Sequence, residues 1–253
     1  MLTSDDLLQA LAAIPVSAPV RAQEVTPSTN AAAAELAAAG EPEWTLVATA
    51  HQTAGRGRLD RTWSDVPGKA LLFSVVLRPK LPPARAGLLS LLAGAEMAQA
   101  IRVTSGRHVT CKWPNDLMLH EQKVGGILLE ASVANGEIGY VIVGVGVNLE
   151  APKDVPEAAG LGENVGLLEL LTAFLTRFAR VYDAADSAFP ERVRHAWLPL
   201  SDTIGQMVSA VTLDGREVTG RAVGIDDFGS LQLSTDSGEA RVGFGEVEHL
   251  GTS

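Results

Sequence analysis

Hydrophobic positions change their period twice along this chain. From residue 44 to 148 short apolar runs alternate with polar turns, from 166 to 198 apolar residues recur at helical spacing, and beyond 200 short strands separate tight turns. The first regime predicts buried strands at 44–50, 70–77, 109–113 and 140–148, the second of them ended by Pro79. Residues 117–119 and 123–130 read as a hairpin around 120–122, and Asn135-Gly136 is a two-residue hairpin signal. Between the strands, 84–103 reads as a core helix with Leu88, Leu91, Leu92, Ala95 and Ala98 in register, stopped by Gly106. The alanine run 31–40 predicts a helix with Ser28 or Thr29 as N-cap and Gly40 as its stop. A leader helix at 5–11, capped by Ser4, is broken by Pro15 and Pro19. The second regime predicts helices at 166–185 and 189–198. The third predicts strands at 208–213, 218–225, 231–233 and 240–242, with turns at Asp214-Gly215, Phe228-Gly229 and 236–238, which suit a small closed barrel. The expected division is 1–200 and 201–253.

Composition narrows the class. The chain has 253 residues, of which 46% are hydrophobic, enough for a packed core. No apolar run reaches the length of a membrane span, and residues 1–15 lack the basic and apolar regions of a secretory signal. A single cysteine, Cys111, excludes an internal disulfide and fits a reducing cytoplasm; within a strand it reads as a small buried residue. The net charge of −10 argues against broad binding to duplex DNA, which needs many phosphate contacts.

Against that acidic background one basic stretch stands out. Gly55-Arg56-Gly57-Arg58-Leu59-Asp60-Arg61-Thr62-Trp63 joins the first two strands. Glycines let backbone N–H groups converge on an anion, arginines add forked donors, and tryptophan offers a flat face. The stretch reads as a lid over an anionic, nucleotide-containing ligand, or as a solvated basic turn, or as an Arg-Gly segment for RNA. Lys112, in a strand that looks buried, needs an anionic partner. Pro114-Asn115-Asp116 then reads as a turn with its polar tips exposed. Lys123 reads as an edge-strand charge that blocks aggregation, and the glycines after it suggest that something approaches the backbone closely. Gly144 and Gly146 share one strand face, which admits either a flat ligand or a closely packed helix. The start of the helix after Ser28 serves capping, anion binding or both. The five histidines show no zinc spacing, and neither a Gly-x-Ser-x-Gly elbow nor a P-loop is found. Asp226-Asp227 reads as a turn, since neighbours on a strand point to opposite faces.

Taken together, Ser28-Thr29-Asn30, 52–58, 112–116, 123–128 and 144–148 resemble, in order and spacing, the motifs of the biotin protein ligases. The resemblance implies an α+β fold: a mixed β-sheet packed with helices, related to class II synthetase and lipoate ligase cores, plus a C-terminal SH3-like barrel. It implies a cytoplasmic ATP-dependent ligase that makes biotinyl-5′-AMP and passes biotin to a lysine of a biotin carboxyl carrier protein. It assigns catalysis to Lys123, Arg58, Asp116 and Lys112. Biotin contacts fall to Ser28, Thr29, Asn30, Gln52, Gly55, Arg56, Arg58 and Lys123, with Gly126 and Gly144 leaving room for the ring. Adenylate contacts fall to Arg56, Arg58, Arg61, Trp63, Lys112, Asn115 and Asn148. Mg²⁺ is expected with ATP near Asp116, without a dedicated protein cage. Asp116 would serve that ion or the incoming lysine.

Two departures stand out. Some relatives carry a basic residue and a glycine where Leu59-Asp60 stands, and an arginine after the position of Gly245-Glu246, where Glu248-His249-Leu250 follows here. The leader before Ser28 is too short for the family's DNA-binding domain, so a ligase without repressor activity is expected. A dimer partner or the carrier is expected at an exposed sheet edge near 141–148. The rival readings are a lipoate or octanoate ligase or transferase on the same core, and a non-catalytic nucleotide- or RNA-binding module.

Overall fold

The computed structural model describes residues 1–212, 215–243 and 245–250. Its larger sheet contains β1 (Val20–Thr26), β2 (Leu46–Gln52), β3 (Ala70–Leu77), β4 (Val109–Lys112), β5 (Asp116–Leu119), β6 (Gln122–Ala134) and β7 (Glu137–Asn148). The spatial order is β1-β2-β3-β7-β6-β5-β4. Only β1 and β2 run parallel; the remaining neighbours are antiparallel, which makes the sheet mixed. The β6–β7 turn is Asn135-Gly136, with φ of 54° and 79°, the left-handed pair that an Asn-Gly hairpin turn requires.

Period-two alternation sorts the sheet's side chains into two faces. On β3, Leu71, Phe73, Val75 and Leu77 enter the main core, and on β7 Val141, Val143, Val145 and Val147 do the same. That face is covered by α3 (Gly87–Ser105) and α4 (Leu167–Val181), with α5 (Phe189–Trp197) packed on α3 and α1 (Ser4–Leu11) against α4. Phe73 meets Phe174 edge-on at 5.3 Å, and Phe174 stacks on Phe178 at 5.5 Å. The opposite face carries α2 (Thr29–Ala38), whose Ala32, Ala33 and Ala37 pack on Val47, Val76 and Ile142. Alanine lets this short helix lie close to the sheet and leaves the rest of the face open.

A second sheet holds β8 (Met207–Thr212), β9 (Glu217–Ile225), β10 (Leu231–Thr235), β11 (Gly238–Val242) and β12 (Gly245–His249), in the antiparallel order β11-β10-β9-β8-β12. Asp214 of the expected Asp214-Gly215 turn lies outside the described residues. Asp226 is a turn residue: its Oδ1 accepts from the N–H groups of Phe228 and Ser230 at 2.8 and 2.9 Å.

Several expectations need correcting. The edge expected at 141–148 does not exist, because β7 pairs with β3 on one side and β6 on the other. Strand addition there is excluded. The periodicity also missed β1 and β12, whose mixed polar and apolar residues resemble loops. The leader helix is capped by Thr3, not Ser4, in a reciprocal box with Asp6, and it is anchored by fully buried Leu7 and Ala10. The helix expected at 166–185 ends at Val181. Residues 83–105 do meet the length and hydropathy of a membrane span, but they form the buried core helix. Cys111 is buried, which pushes its thiol pKa up and leaves it inert at neutral pH.

Candidate active site

The open part of the second face is a cavity of about 840 Å³. Its floor is the glycine face of the sheet. A Cβ on Gly144 would stand 2.0 Å from Asn30 Oδ1, and one on Gly146 would stand 2.7 Å from the Trp63 ring. The room these glycines create is thus occupied by two side chains of the site. This revises the expected role of Gly144, which makes space for Asn30 before it makes space for a ligand. A Cβ on Gly126 would stand 3.3 Å from Lys123 Cε and 3.6 Å from the same tryptophan ring.

At one end sits a polar cluster on the start of α2. Ser28 caps that helix by accepting from the Ala31 N–H at 3.5 Å. The Thr29 N–H donates to Gln52 Oε1 at 2.8 Å. Ser74 Oγ lies 2.8 Å from Thr29 Oγ1 and donates to Asn30 Oδ1 at 2.6 Å. Asn30 Nδ2 donates to Glu130 Oε2 at 2.7 Å. Ser74 and Glu130 were not anticipated; each lies in an apolar strand, at a phase that faces the cavity.

The basic stretch forms the roof as a small hairpin. The Gly57 N–H donates to the Arg61 carbonyl at 2.7 Å, and the Trp63 N–H to the Gly55 carbonyl at 3.0 Å. At its tip Leu59 and Asp60 have φ of 52° and 59°. Two left-handed residues in succession match the right-handed twist of a hairpin, but side chains make them costly, by roughly 1–2 kcal/mol each. Gly55 does not line the cavity, contrary to its expected biotin contact. A Cβ there would meet the Trp63 carbonyl at 2.5 Å, so the glycine permits the hairpin strands to approach. Asp65, with its side chain fully buried, clasps the base of the hairpin: it lies 2.9 Å from His51 Nδ1 and accepts from the Gln52 N–H at 3.2 Å.

Cations line the same cavity. Lys123 Nζ lies 2.6 Å from Asp116 Oδ1 and 5.9 Å from the centre of the Trp63 ring. Asp116 stands opposite Lys112 in the β4–β5 register. Asn115 is tied to β6 in both directions, by Nδ2 to the Ile127 carbonyl at 2.8 Å and by its carbonyl from the Ile127 N–H at 2.9 Å. It then accepts from Arg58 Nη1 at 3.3 Å, so it positions a lid arginine. Arg56 Nη2 donates to Glu130 at 3.0 Å. Arg61 and Lys112 complete the cationic wall. Two polar atoms in this wall, Trp63 Nε1 and Asn148 Oδ1, are buried without a hydrogen-bond partner. A buried donor and acceptor in that state mark where a ligand's complementary atoms fit.

Sequence reading also missed two walls. The segment 150–162 crosses the site, with the Lys123 N–H donating to the Glu157 carbonyl at 2.9 Å and Pro152 and Val155 facing the cavity. Glu217 and Glu248 of the second sheet reach the same cavity. Trp113 holds the two sheets together, donating from Nε1 to the Gly229 carbonyl at 3.0 Å.

The model for the biotin/lipoate A/B protein ligase family matches residues 22–148, and that for the biotin protein ligase C-terminal domain matches residues 203–250. The chain belongs to the biotin/lipoate A/B protein ligase family. Within this family it is 34% identical to the biotin–[acetyl-CoA-carboxylase] ligase of Paracoccus denitrificans, over 88% of this chain and 97% of that protein. It is 33% identical to the bifunctional ligase/repressor BirA of Bacillus subtilis, over 89% of this chain and 72% of that one. Among solved structures, the biotin protein ligase from Aquifex aeolicus in complex with biotin and ATP superposes with a TM-score of 0.71 at 25% identity, covering 91% of this chain and 97% of that one. The sheet order and the helices on its faces are therefore those of a biotin/lipoate ligase core.

Proposed function

We propose that this chain is a biotin–protein ligase. It joins the biotin carboxylate to the α-phosphate of ATP, releasing pyrophosphate, and then passes the biotinyl group from biotinyl-5′-AMP to a lysine amine of a carrier domain. The observation that carries this reading is the position of Lys123. It lines one cavity together with the polar residues Thr29, Asn30 and Gln52 and the lid arginines.

The first step brings a carboxylate against a polyanion. Lys123 offsets that repulsion at the point of attack, and Asp116 holds its ammonium in place. Arg56, Arg58 and Arg61 face the phosphates from the lid, and Lys112 from the wall beside it. Trp63, lying on the glycine face, offers the adenine a stacking surface, and Asn148 Oδ1 offers it an acceptor. The phosphates enter as their magnesium complex, held mainly by ATP itself. Among the described residues no group of three or more His, Cys, Asp or Glu side chains gathers at a single point. In the second step the lysine amine attacks the anhydride carbonyl, the C–O bond to AMP breaks, and the amine proton is lost. No enzyme nucleophile is required, so catalysis is positioning and charge stabilisation. Residues 1–200 would form the catalytic domain and 201–253 the domain that closes its far end.

Exchange of pyrophosphate into ATP tests the reading. Biotin should support exchange and lipoate should not. Exchange with lipoate alone would make the chain a lipoate ligase, and no exchange with either acid would leave a nucleotide-binding module.

A further inference from the structure

One carboxylate oxygen joins the lid to the polar cluster on α2. Glu130 Oε2 accepts from Asn30 Nδ2 at 2.7 Å and from Arg56 Nη2 at 3.0 Å. Its first partner is held on all sides: Asn30 is only 3% exposed, its Oδ1 accepts from Ser74, and its amide also donates to the Leu128 carbonyl at 3.2 Å. Its second partner is an exposed lid side chain that reaches across to β6. The chain of contacts continues from Asn30 through Ser74 and Thr29 to Gln52, the last residue of β2 before the lid. The polar cluster is therefore wired to both ends of the lid segment, through Gln52 at its base and through Glu130 at Arg56.

We propose that Glu130 is a positioning residue: a latch that holds the lid through Arg56 and makes lid closure depend on the placement of Asn30. It lies on the cavity face of β6 with Gly126 and Leu128, and in this position a carboxylate has two donors to satisfy, one fixed and one mobile. A ligand ring that engages Thr29 or Asn30 competes for the Asn30 amide, and the change at Glu130 Oε2 is felt by Arg56 in the lid. This rests on the reading of the cavity as an acyl-adenylate site, but the latch itself is testable without any ligand.

Trypsin supplies the probe, because Arg58 and Arg61 lie in the lid. In the ligand-free protein, Glu130→Ala should speed cleavage after these two arginines by up to about fivefold, the size of an exposed ion pair. Cleavage outside the lid should not change. Glu130→Gln keeps an acceptor for Asn30 but loses the charge facing Arg56, so it should fall between wild type and Glu130→Ala. Arg56→Ala should raise cleavage as much as Glu130→Ala, and the double variant should be no faster than either single one. With biotin and ATP, Glu130→Ala should release biotinyl-AMP faster by the same factor. Equal lid cleavage in wild type and both Glu130 variants, or additive effects of the two alanine substitutions, would overturn the latch. Failure of biotin to protect the wild-type lid, with latch-dependent cleavage intact, would instead count against the ligase reading alone.

Discussion

The two faces of the larger sheet are built from the same strands by opposite rules. On β7, the odd positions from Val141 to Val147 are valines in the main core, whereas Gly144, Gly146 and Asn148 face the cavity. On β3, Phe73 and Val75 enter the core while Ser74, between them, donates to Asn30. One face is filled to exclude water. The other is emptied, and the space is taken by side chains that arrive from other elements: Asn30 from α2 and Trp63 from the lid. The difference teaches that stability and chemistry are separated here by strand phase, so neighbouring residues should fail in different ways.

The largest effect should come from the filled face. Phe174→Ala removes a ring packed between Phe73 and Phe178 and should cost about 3–5 kcal/mol of stability in a denaturant titration. Adenylation per folded molecule should stay normal; a matching loss of turnover would break the separation. On the emptied face, Lys123→Ala should leave the melting temperature near wild type and slow adenylate formation by roughly 10²–10³-fold in single-turnover measurements. Near-normal turnover would remove Lys123 from the mechanism. Gly146→Ala sharpens the contrast further, since its Cβ would stand 2.7 Å from the Trp63 ring. The ring must shift, and the KM for ATP should rise by up to about tenfold, the worth of a good aromatic contact, with little change in the biotin KM. The smallest effect lies between the sheets, at His249, where burial and the Lys112 charge hold the imidazole pKa below 6.5 against the opposing pull of Asp202. The unfolded chain then takes up the proton first as pH falls below 6.5, so stability should decline there. His249→Gln should flatten that part of the melting-temperature profile.

The legibility of the site followed the same division. Lys112 and the lid arginines could be found because charge in an apolar or acidic context is conspicuous, whereas Lys123 read as an ordinary edge-strand charge and was singled out only by the family resemblance. Ser74 and Glu130 could not be found, because a serine or glutamate in a strand is ordinary until the strand's phase and neighbours are known. Gly55 was marked by its motif, but the reason a glycine stands there needed the structure: a Cβ would meet the Trp63 carbonyl at 2.5 Å. Leu59 and Asp60, the least expected residues of the lid, turn out to occupy the two left-handed positions of its turn. That is where glycine would be cheapest; side chains there restrict the unfolded chain at the cost of strain in the folded hairpin.

By itself the sequence determined the alternation that assigns each strand two faces, most of the helices, the Asn135-Gly136 turn and the inventory of charge, because these depend on residues close together in the chain. Only the tertiary structure decided that β7 is interior, that Asn30 fills the hollow at Gly144, that Asp116 holds Lys123, and that Glu130 lies between Asn30 and Arg56. Strand order and side-chain contact join positions as far apart as 30 and 130. No local preference encodes such pairs; they are selected by the burial of the whole sheet.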